Sequence, residues 1–199
     1  MTLPRCFVAA WERMELVVDG APIAGGRAVW LEAGDAFVDV RGPGGFASDT
    51  TFAGTTSWAD PYLTWRHTVD AERHGDGDEL HSDAADRGLI SFVGDDLIEE
   101  GEFTTDRVVT YREHWHRLAG GGGLVVAATT DGGVAVRVGD HAAVVVDRRV
   151  SGGGIAARYD RWDGTAWHSE LQFGDERECE ELPPMLDFDA GPPDGWVWA

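Results

Sequence analysis

Ionisable side chains set between aromatic ones at alternate positions are the chemistry this sequence offers first. In the segment 107–118, Val109, Tyr111, Glu113, Trp115 and Arg117 alternate with Val108, Thr110, Arg112, His114 and His116. Side chains two residues apart share one face of an extended strand. The Tyr111–Trp115 face carries the larger rings, so it is expected inward, with Glu113 between them. A carboxyl in that setting has a raised pKa unless an arginine or hydrogen bonds hold its charged form. Glu113 could then anchor a ligand or act as a general acid or base. The bland counterpart is an internal ion pair, or a Glu113 that faces out.

Two further segments share this character. In Tyr62 to Asp70, the residues Trp65, His67 and Val69 fall on one face. His67 beside Trp65 could serve as a base, a donor to a ligand or, with no second feature in support, a haem ligand. A lone strand histidine is more often a structural residue with its bonds satisfied. In Phe37-Val-Asp39-Val-Arg41, Asp39 and Arg41 share a face opposite Val38 and Val40. The plain expectation puts the valines in a core and the charges in solvent. The sharper one aims Arg41 at an interior, where it or His67 would pair with Glu113 or an anionic ligand.

Other chemistries lack their motifs. There is no Gly-x-Ser-x-Gly elbow, phosphate loop or His-Glu-x-x-His pattern. The runs Gly120 to Gly123 and Gly152 to Gly154 lack dinucleotide spacing and are expected to be turns. Gly75-Asp-Gly-Asp-Glu79 resembles a calcium loop, but Leu80 stands where an oxygen donor is needed. His114 and His116 could chelate a metal from one strand face, yet no third ligand is apparent. No metal and no cofactor is therefore expected.

The elements that must position these residues are short β-type segments broken by Gly, Asp and Pro. There are about a dozen, at the spacing of a sandwich or barrel. Segments 27–33 and 36–41 form a hairpin around Ala33-Gly34-Asp35. Asp131-Gly132, Gly139-Asp140 and Asp163-Gly164 supply the later turns, the last pairing 155–162 with 166–173. Convincing long amphipathic helices are missing. Several strands carry polar groups on both faces, which a partly polar barrel interior accepts and a sandwich core does not. The expectation is all-β: a closed antiparallel barrel of about eight to ten strands, with few or no helices. It would occupy residues 1–175, with an acidic, Pro-rich tail at 176–199 packed on it and a mobile acidic loop over 72–86.

Composition narrows the partners. A formal net charge of −20 repels phosphate backbones and anionic membrane surfaces, so neither nucleic acid nor membrane is expected. The nine tryptophans suit cores and cavity walls. All sixteen basic residues are arginine, and lysine and asparagine are absent, a pattern read as codon bias in a GC-rich genome. The apolar runs, Leu124 to Ala128 among them, are too short to span a bilayer. No signal peptide is evident, and the two cysteines, Cys6 and Cys179, lie near opposite ends. Free thiols in a cytoplasmic protein are the default expectation, with a homodimer left open.

Several segments together resemble a known family. They are Val29-Trp-Leu-Glu32, Phe37-Val-Asp-Val-Arg41, Phe52-Ala-Gly-Thr55, Trp65-Arg-His67 with Asp70, Glu100-Gly101 and Tyr111-Arg-Glu-His-Trp115. In this order, across about residues 11 to 118, they are similar to a bacterial family of lipocalin-like barrels, with a related two-barrel protein in fungi. The resemblance implies a calycin-type fold. No reaction is assigned to that family, so no catalytic residue carries over. One departure is the acidic 72–86 stretch, where the relatives have a Pro-containing loop. It concerns the barrel mouth and hence the choice of ligand.

Two functions follow. The first is binding of a small hydrophobic or aromatic molecule in an aromatic cavity, with Trp65, Tyr111, Trp115, Arg41 and Asp39 as contacts. The second is a cofactor-independent enzyme, a cyclase, isomerase or lyase, working through Glu113 and His67.

Overall fold

The computed structural model describes residues 3–42, 50–71, 86–104, 106–183, 191–192 and 194–199. The acidic 72–85 stretch, including the calcium-like sequence, lies outside them, as does most of the Gly-rich 42–48 segment. Nine strands come first: β1 (Ala9–Val18), β2 (Ala21–Pro22), β3 (Ala28–Ala33), β4 (Ala36–Arg41), β5 (Thr51–Ala59), β6 (Tyr62–Asp70), β7 (Asp86–Val93), β8 (Asp96–Thr104) and β9 (Val108–Arg117). β2 pairs only with β1, β3 also pairs with β1, the strands from β3 to β9 pair consecutively in an antiparallel meander, and β9 returns to pair with β1. The result is a closed antiparallel barrel of eight strands, with the two-residue β2 as a flap on β1. Closure gives each of the eight barrel strands a paired neighbour on both sides.

The strands after Arg117 keep the expected pattern but do not enter the barrel. They are β10 (Val125–Thr130), β11 (Gly133–Val138), β12 (His141–Asp147), β13 (Ile155–Trp162), β14 (Trp167–Phe173) and β15 (Val197–Trp198). They form a second, open sheet in the order β14-β13-β12-β11-β10-β15. The one α-helix among the described residues, α1 (Glu176–Glu180), is capped by Asp175, whose side chain accepts from the Arg177 amide. Among the described residues no helix is long and apolar enough to cross a membrane. Among the described C-terminal residues, several pack on the second sheet. Cys179, Leu182 and Trp196 cover its outer face, and β15 extends it beside β10. Cys6 and Cys179 are free thiols.

The second sheet explains why β3 and β4 are buried on both faces. Val29, Leu31, Val38 and Val40 pack against Val136, Val138, Ala143, Val145 and Ala157 of the second sheet. The opposite faces of β3 and β4 point into the barrel. Within it, Trp11, Trp30, Trp65, Trp115, Phe37, Phe52, Leu63 and Leu97 form a separate cluster. Period-two alternation thus serves two cores at once. The plain expectation for the Asp39–Arg41 face fails for this reason. The valines are in a core, and the charges are inside the barrel rather than in solvent, with Asp39 buried.

A bulge corrects one further expectation. The β5–β6 register passes from Ala53↔Val69 to Gly54↔His67, so Thr68 is an extra residue. Gly54 is required there, because a Cβ would lie 1.9 Å from the Arg66 carbonyl oxygen. Beyond the bulge the faces exchange. Val69 joins the inter-sheet core instead of sharing a face with His67, and Asp70 bonds to the His67 ring.

Candidate functional site

The barrel interior is graded from apolar to polar. One end is filled by the N-terminal segment, where Phe7 packs against Trp58 and Phe92 with ring centroids 4.9 and 5.6 Å apart. Next comes an indole layer. Trp30 stacks on Trp11 at 5.9 Å and meets Trp65 and Trp115 edge-on at 5.7 and 5.8 Å. The other end holds the charges. A pocket there is lined by Trp30, Trp65 and Trp115, by Phe37 and Phe52, and by Asp39, Arg41, His67, Asp86, Glu99 and Glu113. Its free volume is about 30 Å³, room for a few atoms rather than for the few hundred Å³, roughly, of a drug-sized molecule.

The sequence-predicted residues converge here. Trp65, His67, Asp39, Arg41, Glu113 and Trp115 all line the pocket, and Tyr111 stands just behind it. The partner of Glu113 differs from expectation. Its carboxylate accepts from Arg13 NH1 at 2.6 Å, with both side chains buried, so the pairing cation is neither Arg41 nor His67. Arg41 turns to Asp39 instead, donating through Nε at 3.1 Å and NH2 at 2.8 Å, and lies 5.0 Å over the Phe52 ring. Burial opposes the Arg41 charge, but Asp39, Glu113 and Asp86 outweigh it and raise its pKa. Asp39 spends only one oxygen on Arg41. Its Oδ1 is buried with no hydrogen-bond partner, a state that costs free energy unless something donates to it.

His67 is held between two carboxylates. Nδ1 lies 3.0 Å from Asp70 Oδ2, and Nε2 lies 3.5 Å from Asp86 Oδ2. Burial alone would lower its pKa, but the bonds and charges of Asp70 and Asp86 hold it at about 9. His67 is therefore a cation at neutral pH rather than a ready base.

Glu99 was not singled out from the sequence. It lies directly across the β8–β9 ladder from Glu113. The Tyr111 hydroxyl donates to one of its oxygens at 2.8 Å and Trp115 Nε1 to the other at 3.2 Å. Burial, then the negative charges of Glu113 and Asp86, push its pKa well up, which favours the neutral acid. Two glycines make room for it. A Cβ on Gly88 would meet Glu99 Cγ at 2.6 Å, and one on Gly101 would meet the Tyr111 ring at 2.5 Å. Glu32 is a second buried acid, held by Trp30 Nε1 at 3.1 Å and by the Thr56 hydroxyl, and burial again favours its neutral form.

Arg13, Trp30, Phe37, Phe52 and Asp86 also belong to the pocket region. Alternation from Trp11 would have placed Arg13 inward. The bulge between Arg13 and Glu15 obscures that pattern over the rest of β1. His114 and His116 face away from the pocket and are tied to one carboxylate, Asp96, at 2.8 and 2.7 Å.

A closed antiparallel barrel whose interior ends in a pocket of aromatic walls and ionisable groups is the architecture of a lipocalin-like protein in general terms. The chain belongs to the family described as Protein HRI1, whose model matches residues 28–192. Comparison with the curated proteins and with the solved structures found no match.

Proposed function

We propose that this protein binds a small organic molecule at the charged end of its barrel. The observation that carries this reading is the unpartnered Oδ1 of buried Asp39 in a pocket walled by three indoles. Barrel interiors without a ligand role are ordinarily filled by apolar side chains. This one keeps charges whose burial is costly, around a small free volume. Trp65, Trp115, Asp39 and Arg41 are the contacts, and Glu113 fixes Arg13 behind them. A calycin-type, cytoplasmic protein of bacterial origin is part of this reading, and the free thiol of buried Cys179 suits a reducing compartment.

The test is native mass spectrometry of the purified chain. A retained small-molecule mass that is lost in Trp115→Ala but kept in Trp167→Ala supports the reading. A bare chain mass, together with no response of the barrel tryptophans to any small-molecule library, contradicts it.

One observation favours an enzyme as the second reading. Glu99 and Glu113 are opposed carboxyls in different settings, one favoured neutral by burial and one ion-paired to Arg13. A carboxyl favoured neutral by burial, facing one that is ion-paired, could supply an acid and a base in one site. The substrate would then be a small molecule that isomerises, cyclises or eliminates without a cofactor. Turnover abolished by Glu99→Gln in a folded protein would separate this reading from simple binding.

A further inference from the structure

We infer that the barrel pocket takes a small organic cation, a primary ammonium carried on a compact aromatic or apolar body. This rests on the binding function proposed above and names the ligand class for the same site.

Charge balance is the first support. Asp39, Asp86 and Glu113 line the pocket as carboxylates, with Glu99 favoured neutral beside them, against two cations, Arg41 and His67. The layer behind adds one of each, Asp70 beside His67 and Arg13 beside Glu113. Both lining cations already face carboxylates, Arg41 to Asp39 and His67 to Asp70 and Asp86. An anionic ligand would have to displace those contacts and would add to an acidic excess. A cation meets the unused Asp39 Oδ1, an acceptor with no donor.

The walls supply the second support. Indole faces attract cations through their quadrupoles, most strongly where water is excluded. Trp30, Trp65 and Trp115 surround the free space, and Arg41 already rests over Phe52 in that manner. The small free volume fits the head of such a ligand, while Asp86, whose side chain is 47% exposed, marks the mouth where the body would emerge. A net charge of −20 also draws cations towards the molecule.

Glu99 gives the site a countercharge in reserve. The groups that face it are Tyr111, Trp115 and Glu113 from β9, Asp86 and Gly88 from β7, and Arg41 from β4. With an ammonium in the pocket the ionised form of Glu99 gains a partner, so the proton it holds is released to solvent. No bond other than that O–H changes.

The experiment is calorimetric titration of the full chain at pH 7 with three matched probes: benzylammonium, benzyl alcohol and benzoate. Benzylammonium is expected to bind at least about tenfold tighter than either of the others. Asp86→Asn, at the exposed mouth, should weaken benzylammonium severalfold and leave benzyl alcohol unchanged. Buffers of different ionisation enthalpy should show a proton released on benzylammonium binding, and Glu99→Gln should remove that release. Benzoate or benzyl alcohol binding as tightly as benzylammonium overturns the cation class while leaving a binding pocket. Failure of all three probes also overturns the inference, and the mass of a co-purified ligand then judges the pocket separately.

Discussion

The two buried cores of this protein are built on opposite principles. Between the barrel and the second sheet lies an apolar cluster of eighteen residues, all Ala, Val, Leu or Ile apart from Tyr159, with buried His141 bonded to Tyr159 and Arg27 over its ring at the margin. Inside the barrel, four tryptophans and three phenylalanines share the space with Arg13, Glu32, Asp39, Glu99 and Glu113, all buried. The first core is what stability alone selects: small side chains that let two sheets approach closely and bury apolar area. The second contains groups that stability alone would remove, because each buried charge carries a desolvation cost that pairing only offsets. Functional need is the simplest reason for the difference.

The sharpest way to break the comparison is to exchange the chemistry of the two cores. Val145→Asp places a carboxylate in the inter-sheet core, where Val145 is fully buried among apolar side chains. A cost of several kcal/mol is expected, read as loss of soluble, cooperatively unfolding protein. Glu113→Ala leaves Arg13 buried without its partner and should cost about 3–5 kcal/mol in urea unfolding.

His67 gives the comparison a pH dependence. Its folded-state pKa of about 9 lies above the ordinary 6.5, so the charged form stabilises the fold. That contribution is complete below about pH 6.5 and disappears as pH rises through 9; the shift corresponds to about 3 kcal/mol. Wild type should therefore lose stability from pH 7 to 10 relative to His67→Gln. Parallel stability curves would contradict the His67–Asp70 pairing.

The mildest effect is expected from removing both members of an ion pair. Arg13→Met with Glu113→Leu should be neutral or stabilising by about 1–4 kcal/mol, since desolvation of both charges disappears. A double variant less stable than Glu113→Ala would show that the barrel charges are needed for the fold itself.

Much of the site was legible because period-two alternation is a strong signal wherever strands are regular. It placed Tyr111, Glu113 and Trp115 on one face of β9, and Asp39 with Arg41 on one face of β4. The closed barrel also followed from the strands that carry polar groups on both faces. Legibility failed at the bulges. The extra Thr68 reversed Val69 and Asp70, and the irregularity after Arg13 hid the true partner of Glu113. Alternation also cannot say what covers a strand's outer face. The valines of β4 read the same whether they meet a barrel lumen or a second sheet, and only long-range packing decides. Glu99 escaped notice because its role depends on Gly88, Gly101 and Tyr111 on its own and neighbouring strands.

The most direct test of the central claim is to watch the tryptophan indole N–H resonances by nitrogen-edited NMR during titration with benzylammonium, benzyl alcohol and benzoate. The barrel indoles of Trp30, Trp65 and Trp115 line the pocket, whereas Trp162 and Trp167 sit together on the second sheet. The account predicts saturable shifts at Trp30, Trp65 and Trp115, largest for benzylammonium, with Trp162 and Trp167 unmoved. Shifts confined to Trp162 and Trp167, or none at the barrel indoles with any probe, would contradict a binding site inside the barrel.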